Sequence, residues 1–159
     1  MEEILNALVI RMNEKIRFCK TALETEEKSK QVAVLQGNLS GCYRFLKLLK
    51  ETFDLTASFI EDNGENSPNT AALDTEALIS LVQSIAKLEG SKEWDEVLQG
   101  IDNTKIEIKH FLVSEAENAR DLYYSQAQHN ALSYYHTYFR AIRSELKVRE
   151  SELSFGGGA

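Results

Sequence analysis

A seven-residue apolar repeat in the second predicted helix constrains this chain more than any other feature. Val32, Leu35, Leu39, Cys42, Leu46, Leu49, Phe53 and Ile60 recur at alternating steps of three and four, and Thr56 takes the one polar seam position. On a helix of 3.6 residues per turn this spacing keeps one apolar seam facing a partner helix for about four heptads. The repeat specifies packed helices. It does not specify chemistry.

The remaining sequence has the same character. Its 159 residues suffice for one domain with a core that needs no staples. At 43% apolar and 27% charged residues, the composition is that of an ordinary globular protein. A single proline, and no alternating apolar and polar runs between turn signals, predict an all-α fold. The net charge of -7 disfavours a broad surface for phosphate backbones. No apolar stretch is long enough to span a bilayer, and the N-terminus lacks a basic signal region, so a cytoplasmic protein without membrane contact is expected.

The apolar periodicity predicts about five helices in an antiparallel bundle. The first runs from about Glu2 to Glu24, with Ile4, Leu5, Leu8 and Met12 near one face. Thr25 is placed to cap the second, which continues to about Asp62. Residues 63–69 carry the strongest loop signal in the chain. A shorter linker helix follows over 74–89, with Asp74 and Glu76 at its positive end and Gly90 at its stop. Ser91 suits the cap of a fourth helix carrying Trp94, Leu98, Ile101, Ile108 and Phe111. The fourth and last helices form either two arms turning near Asn118 or one rod. A rod from Lys92 to Glu150 would reach about 90 Å with little to pack against, which favours the turn. Residues 1–152 then form one domain, and 153–159 a flexible tail.

Two further patterns bear on assembly. At an offset of 93 residues, Leu39 and Ser40 match Leu132 and Ser133, and Phe45-Leu46-Lys47 matches Tyr138-Phe139-Arg140. The halves 1–62 and 92–152 then read as a duplicated helical hairpin, with a sliding coincidence of two amphipathic helices as the alternative. The second helix also has a second stripe of Val34, Gly41, Leu48 and Leu55, and Gly37 and Gly41 leave a flat patch for a close-approaching backbone. This surplus of apolar face predicts self-association as a dimer.

Cysteine geometry argues against a bridge. A hairpin turning near Glu26 sets Cys19 opposite Val34, which leaves Cys42 roughly 10 Å further along. Catalytic and metal signals are equally weak. Glu107 and His110 have the E-x-x-H spacing of carboxylate bundles, but there is no second copy. His129 and His136 lie two turns apart, too far to share one metal on a straight helix. There is no nucleophile elbow, phosphate loop or dinucleotide turn. The expectation is a non-enzymatic chain without metal or other cofactor.

The last helix is rich in aromatic and basic residues. Tyr134, Tyr135, Tyr138, Phe139 and Arg143, with Gly37 and Gly41, are the candidate interface residues, because aromatic and arginine side chains concentrate binding energy. The same tyrosines also fit a wetted core edge. A nucleic-acid-binding accessory role, with bases stacked on this helix beside Arg140, Lys147 and Arg149, is the alternative function.

The stretch Leu35-Gln36-Gly37-Asn38-Leu39-Ser40-Gly41, leading into Tyr43-Arg44-Phe45-Leu46, resembles small helical-hairpin proteins of tailed bacteriophages and prophages. The resemblance covers residues 1–60; in the second half His129-Asn130 stand where Gln-Gly would be. It implies no catalytic residues. It implies an assembly component or an accessory factor that binds a phage or host protein. The sequence as a whole predicts a protein–protein interaction or assembly protein acting through long helical faces, its partner unnamed.

Overall fold

The computed structural model describes residues 1–157, with side chains through Ser154. Seven α-helices and one 3-10 turn account for the fold among the described residues, with no strand. They are α1 (Glu2–Thr25), α2 (Ser29–Thr52), α3 (Ala57–Ile60), α4 (Thr75–Glu89), α5 (Lys92–Ser114), α6 (Ala119–Leu132) and α7 (Tyr134–Gly157), with the 3-10 turn at Thr70–Ala72. The chain is all-α, and its helices pack as a bundle. No helix among the described residues is long and apolar enough to cross a membrane.

Three of the expected helix starts carry side-chain caps. Asp74 accepts from Ala77 N at 2.7 Å, Ser91 from Trp94 N at 3.2 Å, and Asn118 from Asp121 N at 3.1 Å. Each satisfies an amide that the first helical turn leaves without a partner. The Asn118 cap separates α5 from α6, so the rod alternative does not form.

Other boundaries differ from the sequence expectation. Thr25 does not cap α2; it ends α1, and Lys28 precedes α2 without a side-chain cap. The second helix stops at Thr52 instead of Asp62, because Asp54 adopts a left-handed φ of 52°. Leu55 N then donates to Lys50 O at 3.0 Å, the six-to-one bond that closes a helix in this way, with aspartate in the place glycine usually holds. The single last helix is two helices: α6 ends at Ser133, where Ser133 N bonds Asn130 O and His136 N bonds Ser133 O in three-residue turns. The expected tail is helical from 153 to Gly157. Its last part, 158–159, lies outside the described residues.

Along α2 the Gly37–Gly41 patch receives the close backbone approach expected of it, whereas the heptad seam is not the deepest stripe. The deepest stripe of α2 is Ala33, Gly37, Gly41, Phe45 and Leu49, a step of four, while Val32, Leu35 and Leu39 of the heptad seam are half-buried. The reason is α6. A Cβ on Gly37 would lie 2.2 Å from Tyr124 O and 2.8 Å from Ala127 Cβ; one on Gly41 would lie 2.6 Å from both Ala131 Cβ and Gln128 O. Only glycine permits this approach. Numbers rise together along both helices, from Lys30 Nζ over the Tyr123 ring at 4.8 Å, through Gly37 beside Tyr124, to Gly41 beside Gln128 and Ala131. The closest pair in the bundle is therefore parallel, which corrects a purely antiparallel arrangement.

The α1–α2 hairpin is staggered. Lys20 Nζ reaches the Tyr43 ring at 5.6 Å, and the charge of Cys19 acts on the Cys42 thiol. A tight turn at residue 27 would instead set Lys20 beside position 34. Glu26 and Lys28 are both extended, with ψ of 124° and 120°, so the linker lets one arm slide along the other. The two cysteines form no bridge, as the sequence geometry implied. Both are free and buried, and burial pushes the Cys42 thiol up to about 12.

The loop signal at 63–69 corresponds to a strap tied across α1. Arg17 donates to Gly64 O at 3.0 Å and to Glu65 O at 2.5 Å, with its Nε 3.0 Å from Asp62 Oδ2. Glu14 accepts from Ser67 N at 2.8 Å and Ser67 Oγ at 2.6 Å, and Asn13 holds Ile60 O at 2.9 Å. Burial pushes the Glu14 carboxyl up, but the two Ser67 bonds, Arg11 and Arg17 outweigh it and hold the pKa below its ordinary value. A carboxylate depressed on folding contributes stability above its unfolded pKa and loses it as pH falls through the folded one. Acid should therefore loosen the strap first: amide exchange of residues 61–67 should quicken below about pH 4.5 relative to α4, the ordinary glutamate value being 4.5. Glu14→Gln should loosen it at neutral pH to about the level wild type reaches in acid, and remove this dependence. Equal acid sensitivity in wild type and variant would show that Glu14 is not the group responsible.

Candidate functional site

The aromatic run of the last predicted helix is largely inside the molecule. Tyr138 and Phe139 are 7% and 3% exposed. Tyr135, half-buried, stacks on Phe45 at 5.9 Å and meets Trp94 edge-on at 5.3 Å; Trp94 also lies 5.8 Å from Phe139. Tyr134 is half-buried too, its hydroxyl accepting from Arg11 Nε at 2.8 Å and its ring under Lys15 Nζ at 4.0 Å. Arg11 also lies 5.4 Å over the Tyr138 ring. Burial pushes the Tyr135 and Tyr138 hydroxyls upward.

Arg143 pairs with Glu89, and Arg149 pairs with Glu145 at 3.0 Å while donating to Ala71 O at 3.1 Å. Gly37 and Gly41 are covered by α6 of the same chain. Five of the seven candidate interface residues thus meet around Trp94, Arg11 and Glu89, and the two glycines sit on a separate seam. The aromatic members pack within the chain, Arg143 pairs with Glu89 at the surface, and the glycines meet α6.

Exposed large apolar side chains occur on several helices, Phe18 of α1 and Val148 and Leu153 of α7 among them, and three lie on α5 and α6. Ile106 is 65% exposed, Val113 82% and Leu122 41%. Helix α5 buries Trp94, Val97, Ile101 and Ile108, which leaves Ile106 and Val113 on a different face, seven residues and two turns apart. Beside them α5 and α6 leave a cleft of about 720 Å³, within the range of ligand-sized clefts. Ile106, Ile108 and Leu112 supply its apolar surface; Lys105, Lys109, His129 and Asn130 supply most of its polar rim, with Asp102 as the acidic group.

The local fold explains why this cleft exists. Small residues on the inner face of α6, Ala127 and Ala131, draw it against the glycines of α2. Helix α5 cannot follow so closely, because at Gly100 it already meets Leu48, whose Cδ2 would lie 2.6 Å from an added Cβ. The two arms of the second hairpin therefore part along their outer edges. Lys105 and Lys109 make no ion pair among the described residues. Burial lowers the His129 pKa, and the charge of Lys105 lowers it further, so the rim carries two fixed cations and one imidazole held towards neutrality.

His129, which the sequence analysis weighed for metal chemistry, lines this cleft. Its fellow His136 is exposed and packs edge-on to Tyr135 at 6.4 Å, away from the cleft. Glu107 and His110 are both exposed on α5. Ile106 and Val113 were missed, although their heptad spacing outside the main apolar face of the fourth predicted helix was a readable signal. A cleft so lined can hold an amphipathic surface by apolar contact and charge. No protein-family model, curated protein or solved structure matches this chain.

Proposed function

We propose that the chain is a non-enzymatic interaction or assembly protein that binds a protein partner across the outer face of α5 and α6. The exposed pair Ile106 and Val113, bordering the α5–α6 cleft, carries this reading. Large apolar side chains this exposed at two-turn spacing are an unpaired helix stripe, and such stripes mark docking surfaces. The duplicated-hairpin reading keeps some support: α1 and α5 start at Glu2 and Lys92, α2 and α6 at Ser29 and Ala119, so the same interval separates both pairs. That interval is three residues shorter than the one aligned from sequence. A phage or prophage assembly role belongs to the same reading, through the Gln-Gly-containing segment whose glycines permit the α2–α6 approach. So does a cytoplasmic setting. For the alternative of nucleic-acid binding, Arg143 and Arg149 are ion-paired and Tyr138 is buried, while Arg140 and Lys147 are exposed on α7.

Ile106→Asp combined with Val113→Asp should leave the melting temperature within a few degrees, since exposed substitutions usually change stability by less than about 0.5 kcal/mol. Affinity purification from the source cells with the two proteins should then differ by loss of one partner. Sedimentation should detect a dimer if the partner is a second copy. A variant that keeps every partner and the same oligomeric state would refute this surface.

A further inference from the structure

We propose that the α5–α6 cleft accepts an amphipathic partner helix whose apolar ridge is flanked by acidic side chains. This inference rests on the proposed protein-binding role of the face and names the chemistry of the partner. Shape is the first ground. The cleft runs between two helices and continues into the Ile106–Val113 stripe, which spans about 10 Å along α5, two helical turns. An elongated groove with apolar residues at heptad spacing matches the repeat of a third helix lying along it. A compact polar ligand would leave Val113 uncovered.

Charge is the second ground. In a protein of net charge -7, this groove holds Lys105 and Lys109 one turn apart with no internal carboxylate partner. Asp102 is the one acidic group of the cleft, and His129 lines it from α6, within the influence of Lys105. Acidic flanks on the partner would sit between the two ammonium groups and water. Basic flanks would bring like charges together, which selects against them.

Two synthetic amphipathic peptides test this, sharing one leucine ridge and differing only in glutamate or lysine flanks. Each is titrated into the intact, isotopically labelled protein. The glutamate peptide should shift the amides of residues 102–113 and 125–130 and bind at least about tenfold tighter than the lysine peptide at low salt. Lys105→Glu with Lys109→Glu should reverse that order, while Lys47→Glu, on the exposed side of α2, should leave it unchanged. If both peptides bind the groove equally, the acidic preference is wrong and the protein-binding reading stands. If neither binds and dodecanoate shifts the same amides, the site takes a small amphiphile and both readings fall. If the protein alone dimerises through these residues, the occupant is a second copy and the acidic partner helix is refuted.

Discussion

Gly37→Val should destabilise the protein by at least about 3 kcal/mol, at or beyond the upper end of ordinary overpacking. The reason is what the new side chain would meet. Its Cβ would stand 2.2 Å from Tyr124 O and 3.0 Å from Tyr124 C, backbone atoms that no side-chain rotation moves aside. Glycine inside a helix is worth about 1 kcal/mol less than alanine by propensity, so even Gly37→Ala begins with a gain. The clash should overwhelm it, and Gly37→Ala should still be clearly destabilising. Gly90→Ala is the control: its nearest neighbours are Ala86 O at 3.5 Å and Lys87 O at 3.7 Å, and its φ is -83°, so the change should be neutral or stabilising. Urea unfolding followed by circular dichroism compares all three. Equal midpoints for Gly37→Ala and Gly90→Ala would mean that α2 and α6 do not approach as described.

Trp94→Ala should cost about 3–5 kcal/mol, the range for deleting a fully buried large aromatic side chain. Trp94 is 2% exposed and joins three parts of the chain, lying 5.3 Å from the Tyr135 ring and 5.8 Å from that of Phe139 at the start of α5. Tyr135 in turn stacks on Phe45 of α2. The cavity left behind would therefore loosen α2, α5 and α7 together, and the surrounding helices could close it only by moving relative to one another. Trp94→Phe, keeping the ring and most of the volume, should retain more than half of the lost stability. A Trp94→Ala variant within 1 kcal/mol of wild type, roughly the size of an average point substitution, would show that this aromatic cluster is peripheral.

Helix composition and caps were legible in the sequence because they depend on neighbours along the chain. Asp74, Ser91 and Asn118 each precede the amide they bind by three residues, a local chemistry that a string of letters contains. Long-range packing was less legible. The heptad on the second helix correctly marked Cys42, Leu46 and Leu49 as core, yet it ranked Leu35 and Leu39 above Ala33 and Gly37. Hydrophobicity favours large side chains, whereas the closest approach in this fold depends on the absence of them. The break at Ser133 has no proline or glycine to announce it, since α6 follows α2 and α7 turns away to reach α4. The aromatic residues of α7 looked like an interface because aromatic side chains serve cores and interfaces alike. Their use was decided by Trp94, some forty residues away in sequence. The cleft suffered the opposite fate: Ile106 and Val113 read as ordinary members of an apolar helix until the buried face of α5 was known.

The parallel contact between α2 and α6 has a consequence for how the polypeptide reaches this state. The face containing Gly37 and Gly41 is finished early in synthesis, but the residues that cover it end at Ala131. Between those events the first hairpin carries an open backbone groove that any small-residue helix of similar spacing fits. Contacts this distant in sequence form late and leave their surfaces uncovered in the meantime. In a crowded cell the nearest such helix can be the α6 of another nascent copy, which would complete the same contact by exchange between chains. The glycine pair that makes the native seam so tight thus also sets the period during which the chain is vulnerable to pairing with its own kind.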